Sequence, residues 1–180
     1  MRRKSFDTQE CPIARSLERV GERWSLLILR DAFLGATRFE QFQTSLGVAP
    51  STLTRRLNAL TKAGLLETRR YSERPLRHEY VLTARGRDFR PALWALMAWG
   101  NRQFAPEGAS VLIVDALSGA PADPILVDAN SLHRLEPPSF RTALGPAASE
   151  EFRLRHGSFA GGPTTTAVRR AKRNGRGAHV

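Results

Sequence analysis

A single cysteine, Cys11, stands among 180 residues, so no disulfide can close within the chain, and a reducing, cytoplasmic setting is expected. No uninterrupted apolar run approaches the roughly 18 residues that a bilayer crossing needs, and Met1-Arg2-Arg3-Lys4 leads straight into polar residues. Neither a membrane span nor a secretory signal is therefore expected. The sequence also lacks HExxH, CxxC and GxSxG strings and any Gly-rich phosphate loop. Its four histidines, His78, His133, His156 and His179, are scattered, and Asp115 and Asp128 read as turn residues rather than a catalytic pair. These absences argue against an enzyme and against any metal or cofactor.

Acid is scarce as well. Seventeen Asp and Glu face 28 Lys and Arg, all but three of them Arg, for a net charge of +11. Residues 1–105 carry 19 basic and 10 acidic groups (+9), 106–160 carry 4 and 7 (−3), and 161–180 carry 5 and 0 (+5). An Arg surplus placed in this way points to phosphate, and so to nucleic acid.

Gly and Pro number 10 in residues 1–105 and 15 in the shorter remainder, which concentrates regular helix in the first part. Pro12 suits a first helical position and makes Cys11 the N-cap, with Ile13, Leu17 and Val20 along one face up to Gly21. Trp24 to Phe33, apolar nearly all round, reads as the central buried helix. Thr37-Arg38-Phe39-Glu40 has capping-box form and opens a helix carrying Phe39, Phe42 and Leu46 to Gly47. A further helix from Pro50 to Ala63 buries Leu53, Leu57 and Leu60. Two short amphipathic helices about a tight Gly turn make a helix-turn-helix.

Leu65 to Tyr71 and His78 to Thr83 then read as strands around a Ser72 to Arg77 loop, with Tyr80 and Leu82 on one face. A hairpin directly after a helix-turn-helix is a winged helix, and this wing carries Arg69, Arg70, Arg74 and Arg77. A last helix from Ala84 to Phe104, capped by Thr83 and kinked at Pro91, gathers Phe89, Leu93, Leu96, Met97, Gly100 and Phe104 within about 100° of arc, flanked by Trp94 and Trp99. That sector exceeds what one small domain covers. It is expected to form a homodimer seam with the opening helix around Leu17; the alternative is that residues 106–160 fold over it.

The expected architecture is mainly α (α+β): a winged helix-turn-helix with a long C-terminal dimerisation helix over residues 1–105, and a small β-rich appendage over 106–157. In the appendage Ile113-Val114-Asp115-Ala116 recurs as Leu126-Val127-Asp128-Ala129, suggesting two hairpin-like units. Residues 158–180 are expected to be a disordered basic tail.

Groove reading needs a slim helix whose side chains reach base edges, with phosphate-holding groups beside it. With Leu53 facing the core, Ser51, Arg55, Asn58 and Lys62 point outward and Thr52 and Thr54 lie to the sides. Arg55 can pair with guanine, and Ser51 and Thr52 suit phosphate or base contacts. Arg56 lies nearer the core edge, as suited to a structural ion pair as to a phosphate. The other reading, a winged-helix module that binds protein or RNA without operator specificity, has less support: an RNA reader wants stacking aromatics, and the outward positions hold none.

Cys11-Pro12-Ile13-Ala14-Arg15, Gly21-Glu22-Arg23-Trp24-Ser25-Leu26-Leu27-Ile28-Leu29-Arg30, Gly35 with Arg38-Phe39, Leu53-Thr54-Arg55-Arg56-Leu57, Ala63-Gly64-Leu65 and Glu79-Tyr80-Val81-Leu82-Thr83 with Gly86 together resemble the HxlR-type branch of MarR-like winged-helix transcriptional regulators, over residues 8–104. The resemblance implies a homodimer on a palindromic double-stranded DNA operator, with the helix of Leu53 to Leu57 in the major groove and the hairpin at the flanking minor groove. Pro50, Ser51 and the Arg74 to Arg77 wing match positions where that family touches DNA. It implies transcriptional regulation, as a repressor, with no small-molecule effector specified. Some relatives sense oxidants or electrophiles through a cysteine in the corresponding Cys-Pro motif, and a thiol at a helix N-cap near Arg15 suits that role. This chain has no second cysteine to resolve an oxidised Cys11. Either an intersubunit disulfide or a small-thiol adduct would be required; otherwise Cys11 is simply a cap.

Overall fold

The computed structural model describes residues 5–157, which divide into two compact units at Ile125/Leu126. The first holds α1 (Pro12–Val20), α2 (Arg23–Phe33), α3 (Phe39–Leu46), α4 (Pro50–Lys62), β1 (Leu66–Glu73), β2 (Leu76–Leu82), α5 (Ala84–Asp88) and α6 (Arg90–Phe104). The second holds α7 (Glu150–His156). The expected basic tail lies outside the described residues.

The core of the first unit is one cluster. Ile28 and Leu29 of α2, Phe42 of α3 and Leu53, Leu57 and Leu60 of α4 are fully buried, joined by Val20, Val48, Leu65 and Leu66. α2 is central, as its apolar run predicts, and touches α1, α3, α4, α6 and β2. Its Asp31 is buried too, held by the Nε and Nη2 of the adjacent Arg30 at 2.9 and 2.8 Å.

Four local expectations change. The N-cap of α3 is Arg38, not Thr37, and the returning side chain is Gln41, not Glu40: Gln41 Oε1 accepts from the backbone N–H groups of Arg38 (2.8 Å) and Thr37 (2.9 Å). The cause lies across the sheet, where the Thr37 carbonyl accepts the Tyr80 N–H at 2.6 Å and Arg38 bridges Glu79. A single β-bridge thus holds this segment at the edge of the hairpin before it becomes helix. The wing is also longer than expected, with only Arg74-Pro75 between strands, so Arg77 pairs opposite Ser72 on β2. The last helix is two: the chain breaks at Phe89, because Pro91 offers no N–H to the preceding turn. Phe89 itself packs on the core rather than on the free face of α6. Finally, the appendage contains a helix, α7, with Ser149 Oγ accepting the Phe152 N–H, glutamates in its first turn and Arg153, Arg155 and His156 in its last.

The tetrapeptide repeat is structural. In each copy the Asp N–H donates to the carbonyl five residues on, Asp115 to Ala120 and Asp128 to His133, and a second bond closes nine residues apart, Ala122 to Ile113 and Leu135 to Leu126. Asp115 accepts from the Ser118 N–H (2.8 Å) and hydroxyl (2.9 Å), and Asp128 from the Ser131 hydroxyl (2.7 Å) and N–H (2.8 Å). These donors hold both carboxyls below their ordinary range.

Two glycines matter. Gly47 ends α3 at φ +59°, the left-handed turn that redirects the chain into α4. Gly86 lies so close to Leu65 that a Cβ would stand 2.1 Å from its carbonyl oxygen. The same joint is tied by Thr83 Oγ1, which accepts the Gly86 N–H at 3.0 Å and donates to the Gly64 carbonyl at 2.6 Å. Helix propensity alone would make Gly86→Ala stabilising by about 1 kcal/mol. The contact reverses the sign: urea unfolding at matched protein concentration should show a loss of about 1 to 3 kcal/mol, and a variant as stable as the parent would contradict this packing.

Candidate nucleic-acid interface

α4 is fixed from beneath. Leu53, Leu57 and Leu60 recur at helical spacing and are sealed against α2 and α3, which leaves Ser51, Thr54, Arg55, Asn58 and Lys62 exposed and Thr52 half-buried. Pro50 sets the first turn, and the N-cap, Ala49, brings no side-chain acceptor to the first N–H groups. Pro50 has no N–H, and the Thr52 and Leu53 N–H groups both donate to the Ala49 carbonyl at 3.0 Å, so within the first turn the Ser51 N–H is the donor turned to the positive end of the helix dipole.

The arginines divide by what they already hold. Arg56 is only 18% exposed and pairs with Glu22 at 3.4 Å, fastening α4 to the start of α2. Arg69 donates from Nε and Nη2 to Glu67 at 2.9 and 2.6 Å, and Arg70 pairs with Glu73 at 3.4 Å. The side chains of Arg55, Arg74 and Arg77 are exposed and, among the described residues, make no hydrogen bond or ion pair. Arg55 thus stands with Lys62 on the outer face of α4, and Arg74 and Arg77 stand near the tip of the wing.

A residue that sequence reasoning did not single out joins them. Arg38 is exposed at the start of α3, and its guanidinium lies 4.7 Å from the Tyr71 ring centroid. Tyr71 is available because the ladder skips it, Arg70 pairing with His78 and Ser72 with Arg77. Neither an i,i+4 spacing nor a hairpin pattern reveals such a pairing, since it depends on the bridge between Arg38 and Glu79. At the base of the wing, burial pushes the Tyr80 phenol above its usual value and keeps it neutral at physiological pH.

The other expected positions lie elsewhere on the unit. Leu17 is 45% exposed and Trp94 42%, Leu96 and Phe104 are also exposed, and Leu93, Met97 and Gly100 are half-buried. Ala98, the buried residue of α6, lies roughly 125° around the helix from the middle of that set. Cys11 is half-buried at the N-cap of α1 and its thiol makes no capping bond. Arg15 turns from it to the Gln9 carbonyl, 2.6 Å from Nε. No group of three metal-ligating side chains occurs among the described residues, and no helix there is long and apolar enough to cross a membrane.

Known proteins share this arrangement. Residues 19–108 match the HxlR-like helix-turn-helix family. An uncharacterized HTH-type transcriptional regulator of Mycobacterium tuberculosis is 46% identical over 116 residues, 64% of this chain and 73% of that protein. The structure of a candidate transcription factor from Pseudomonas aeruginosa is 54% identical with a TM-score of 0.59, covering 81% of this chain and 99% of that one. The redox regulator HypR in its reduced form is 26% identical with a TM-score of 0.50, over 54% and 99%. A buried leucine stripe under an outward-facing second helix, an Arg-bearing hairpin behind it and a match over half the chain agree: this protein belongs to the HxlR-like helix-turn-helix family of MarR-like winged-helix transcriptional regulators.

Proposed function

We propose that the protein is a homodimer that binds a palindromic operator in duplex DNA and represses transcription by occupying it. Residues 1–105 act as the DNA-binding and dimerisation domain, with 106–157 as an appendage. The observation that carries this reading is the split among the arginines: those on the outer face of α4 and near the wing tip are free for a polyanion, while their neighbours serve the fold. In this reading Pro50, Ser51, Thr52, Thr54, Arg55 and Asn58 face the major groove and Arg74 and Arg77 hold phosphates at the flank, with Arg69 and Arg70 adding to the wing's field. Arg56 steadies α4 through Glu22.

Selection from a random duplex library should enrich a palindrome whose affinity falls steeply with salt. Arg55→Ala should cost about 1 to 3 kcal/mol and relax preference at one base pair per half-site. Arg74→Ala and Arg77→Ala should weaken all duplexes alike and flatten the salt slope. Failure to enrich any duplex would hand the chain to the protein- or RNA-binding reading.

The seam is formed by Leu17, Leu93, Trp94, Leu96, Met97, Gly100 and Phe104, apolar side chains that the first unit leaves exposed or half-buried. Leu96→Asp should place an uncompensated charge there and shift the protein from dimer to monomer in sedimentation. A wild-type chain that sediments as a folded monomer at micromolar concentration would refute the seam.

A second reading rests on Cys11, a half-exposed thiol with no hydrogen bond at a helix N-cap beside the proposed seam, in a chain that shares its fold with a redox regulator. Oxidation to an adduct or an intersubunit disulfide would alter the spacing of the two recognition helices. Operator binding should fall on mild oxidation, recover with reductant and become indifferent to oxidant in Cys11→Ser; equal binding in both states would leave Cys11 a cap.

A further inference from the structure

The wing carries a large apolar side chain that the fold does not use. On β2 the alternate residues Leu76, His78, Tyr80 and Leu82 share a face, and Tyr80 and Leu82 pack against the core. The ladder pairs Arg70 with His78 and Ser72 with Arg77, so the irregularity lies on β1 and the alternation along β2 is unbroken. His78 is exposed, and Leu76, four residues and about 13 Å of strand beyond Tyr80, is 61% exposed. Leu76 therefore continues the core-facing row past the point where there is a core to meet. Its setting is cationic. Arg74 stands two residues before it and Arg77 one after, both with exposed side chains that make no ion pair among the described residues, while Glu73, opposite it in the ladder, is taken up by Arg70 at 3.4 Å. Only Arg74 and Pro75 separate the strands, so the tip is slim.

A lone exposed leucine is ordinary on a protein surface; one held at a hairpin tip between two free guanidinium groups selects its occupant. The guanidinium groups fit phosphates, and the side chain between them gains nothing from phosphate oxygens, so within a polyanion it finds apolar surface only at sugar edges and base faces. A DNA minor groove offers both at this scale, with phosphate walls roughly 6 Å apart and the base stack as its floor. We propose that Leu76 is a minor-groove wedge: with Arg74 and Arg77 on the phosphate walls, it enters between two base pairs at each flank of the operator, unstacks them and bends the duplex toward the major groove. The proposal rests on the DNA-binding reading above and adds to it a source of specificity. A step that Leu76 opens is chosen for how readily it unstacks, so flexible TA and CA steps are favoured over stiff A-tracts at a position where no hydrogen bond reads the bases. An anionic lipid surface would attract the same two arginines, but one leucine buries too little apolar area to hold the wing there.

The test uses the full-length protein and the duplex enriched by selection. Energy transfer between dyes at the duplex ends reads the bend, and 2-aminopurine, placed at one flanking position after another, reads unstacking by its rise in emission. The wild-type protein should bend the duplex by at least about 20° at each flank, raise the emission at one flanking step at least twofold, and bind a duplex with TA at that step at least fivefold tighter than one with an A-tract. Leu76→Ser, an exposed change that should leave the urea midpoint where it is, should abolish the bend and the emission rise and bring the two duplexes within twofold of each other. Its salt slope should stay that of the wild type, because Arg74 and Arg77 remain. Leu76→Met, still apolar and of similar reach, should restore bend and emission. A wild-type complex that is tight but straight and silent in 2-aminopurine, or a Leu76→Ser protein that bends and unstacks as the wild type does, would overturn the wedge and leave the DNA reading standing. Failure to bind any duplex would overturn that reading and the wedge with it. Capture by vesicles of anionic lipid that Leu76→Ser loses, with the bound duplex straight, would give the tip to a membrane instead.

Discussion

The burial of Leu53, Leu57 and Leu60 is the constraint on which the rest of the molecule depends. These three side chains give α4 one possible orientation, because rotating it by half a turn would expose the leucine row and bury Arg55 without a partner. Everything proposed for the outer face, from the uncapped first turn at Pro50 to Asn58, inherits its direction from that stripe. The Arg56–Glu22 pair adds a tether at the edge, where a half-buried guanidinium would otherwise lack a counter-charge. A recognition surface that must present the same side chains to successive phosphates and base edges gains from this rigidity.

The wing is positioned by a different device. β1 enters from Leu65 and Leu66 in the core, and β2 leaves through Thr83 into the close contact of Gly86 with Leu65, so both ends of the hairpin are anchored at one joint. Between those ends the sheet gains a third partner from Thr37 and Arg38, which ties the wing to the start of α3. The tip carries its cations on an element whose base is buried and whose end is exposed.

Much of this was legible in the sequence because it depends on short-range periodicity. Leucines spaced along α4 identify both its buried stripe and its outward face, and Gly47 and Pro50 mark the turn between the helices. What the sequence concealed depends on contacts made far along the chain. The cap of α3 shifted to Arg38 because Tyr80, some forty residues later, takes the Thr37 carbonyl. The wing strands extend past Tyr71 because an irregularity absorbs that residue, which alternation alone cannot signal. Phe89 looked like part of the free face of one long helix, yet the break before Pro91 turns it into the core. By contrast, α7 carried its signals openly in Ser149, Glu150, Glu151 and the basic last turn, and was missed because the surrounding Gly and Pro content argued for turns.

Dimeric reading of duplex DNA by α4 is the central claim, and hydroxyl-radical footprinting on the enriched duplex tests it most directly. Two symmetry-related protected patches should appear, their centres about one helical turn, roughly 34 Å, apart, with the flanking minor grooves covered by the wings. A single protected patch, or uniform protection that does not follow sequence, would contradict the account.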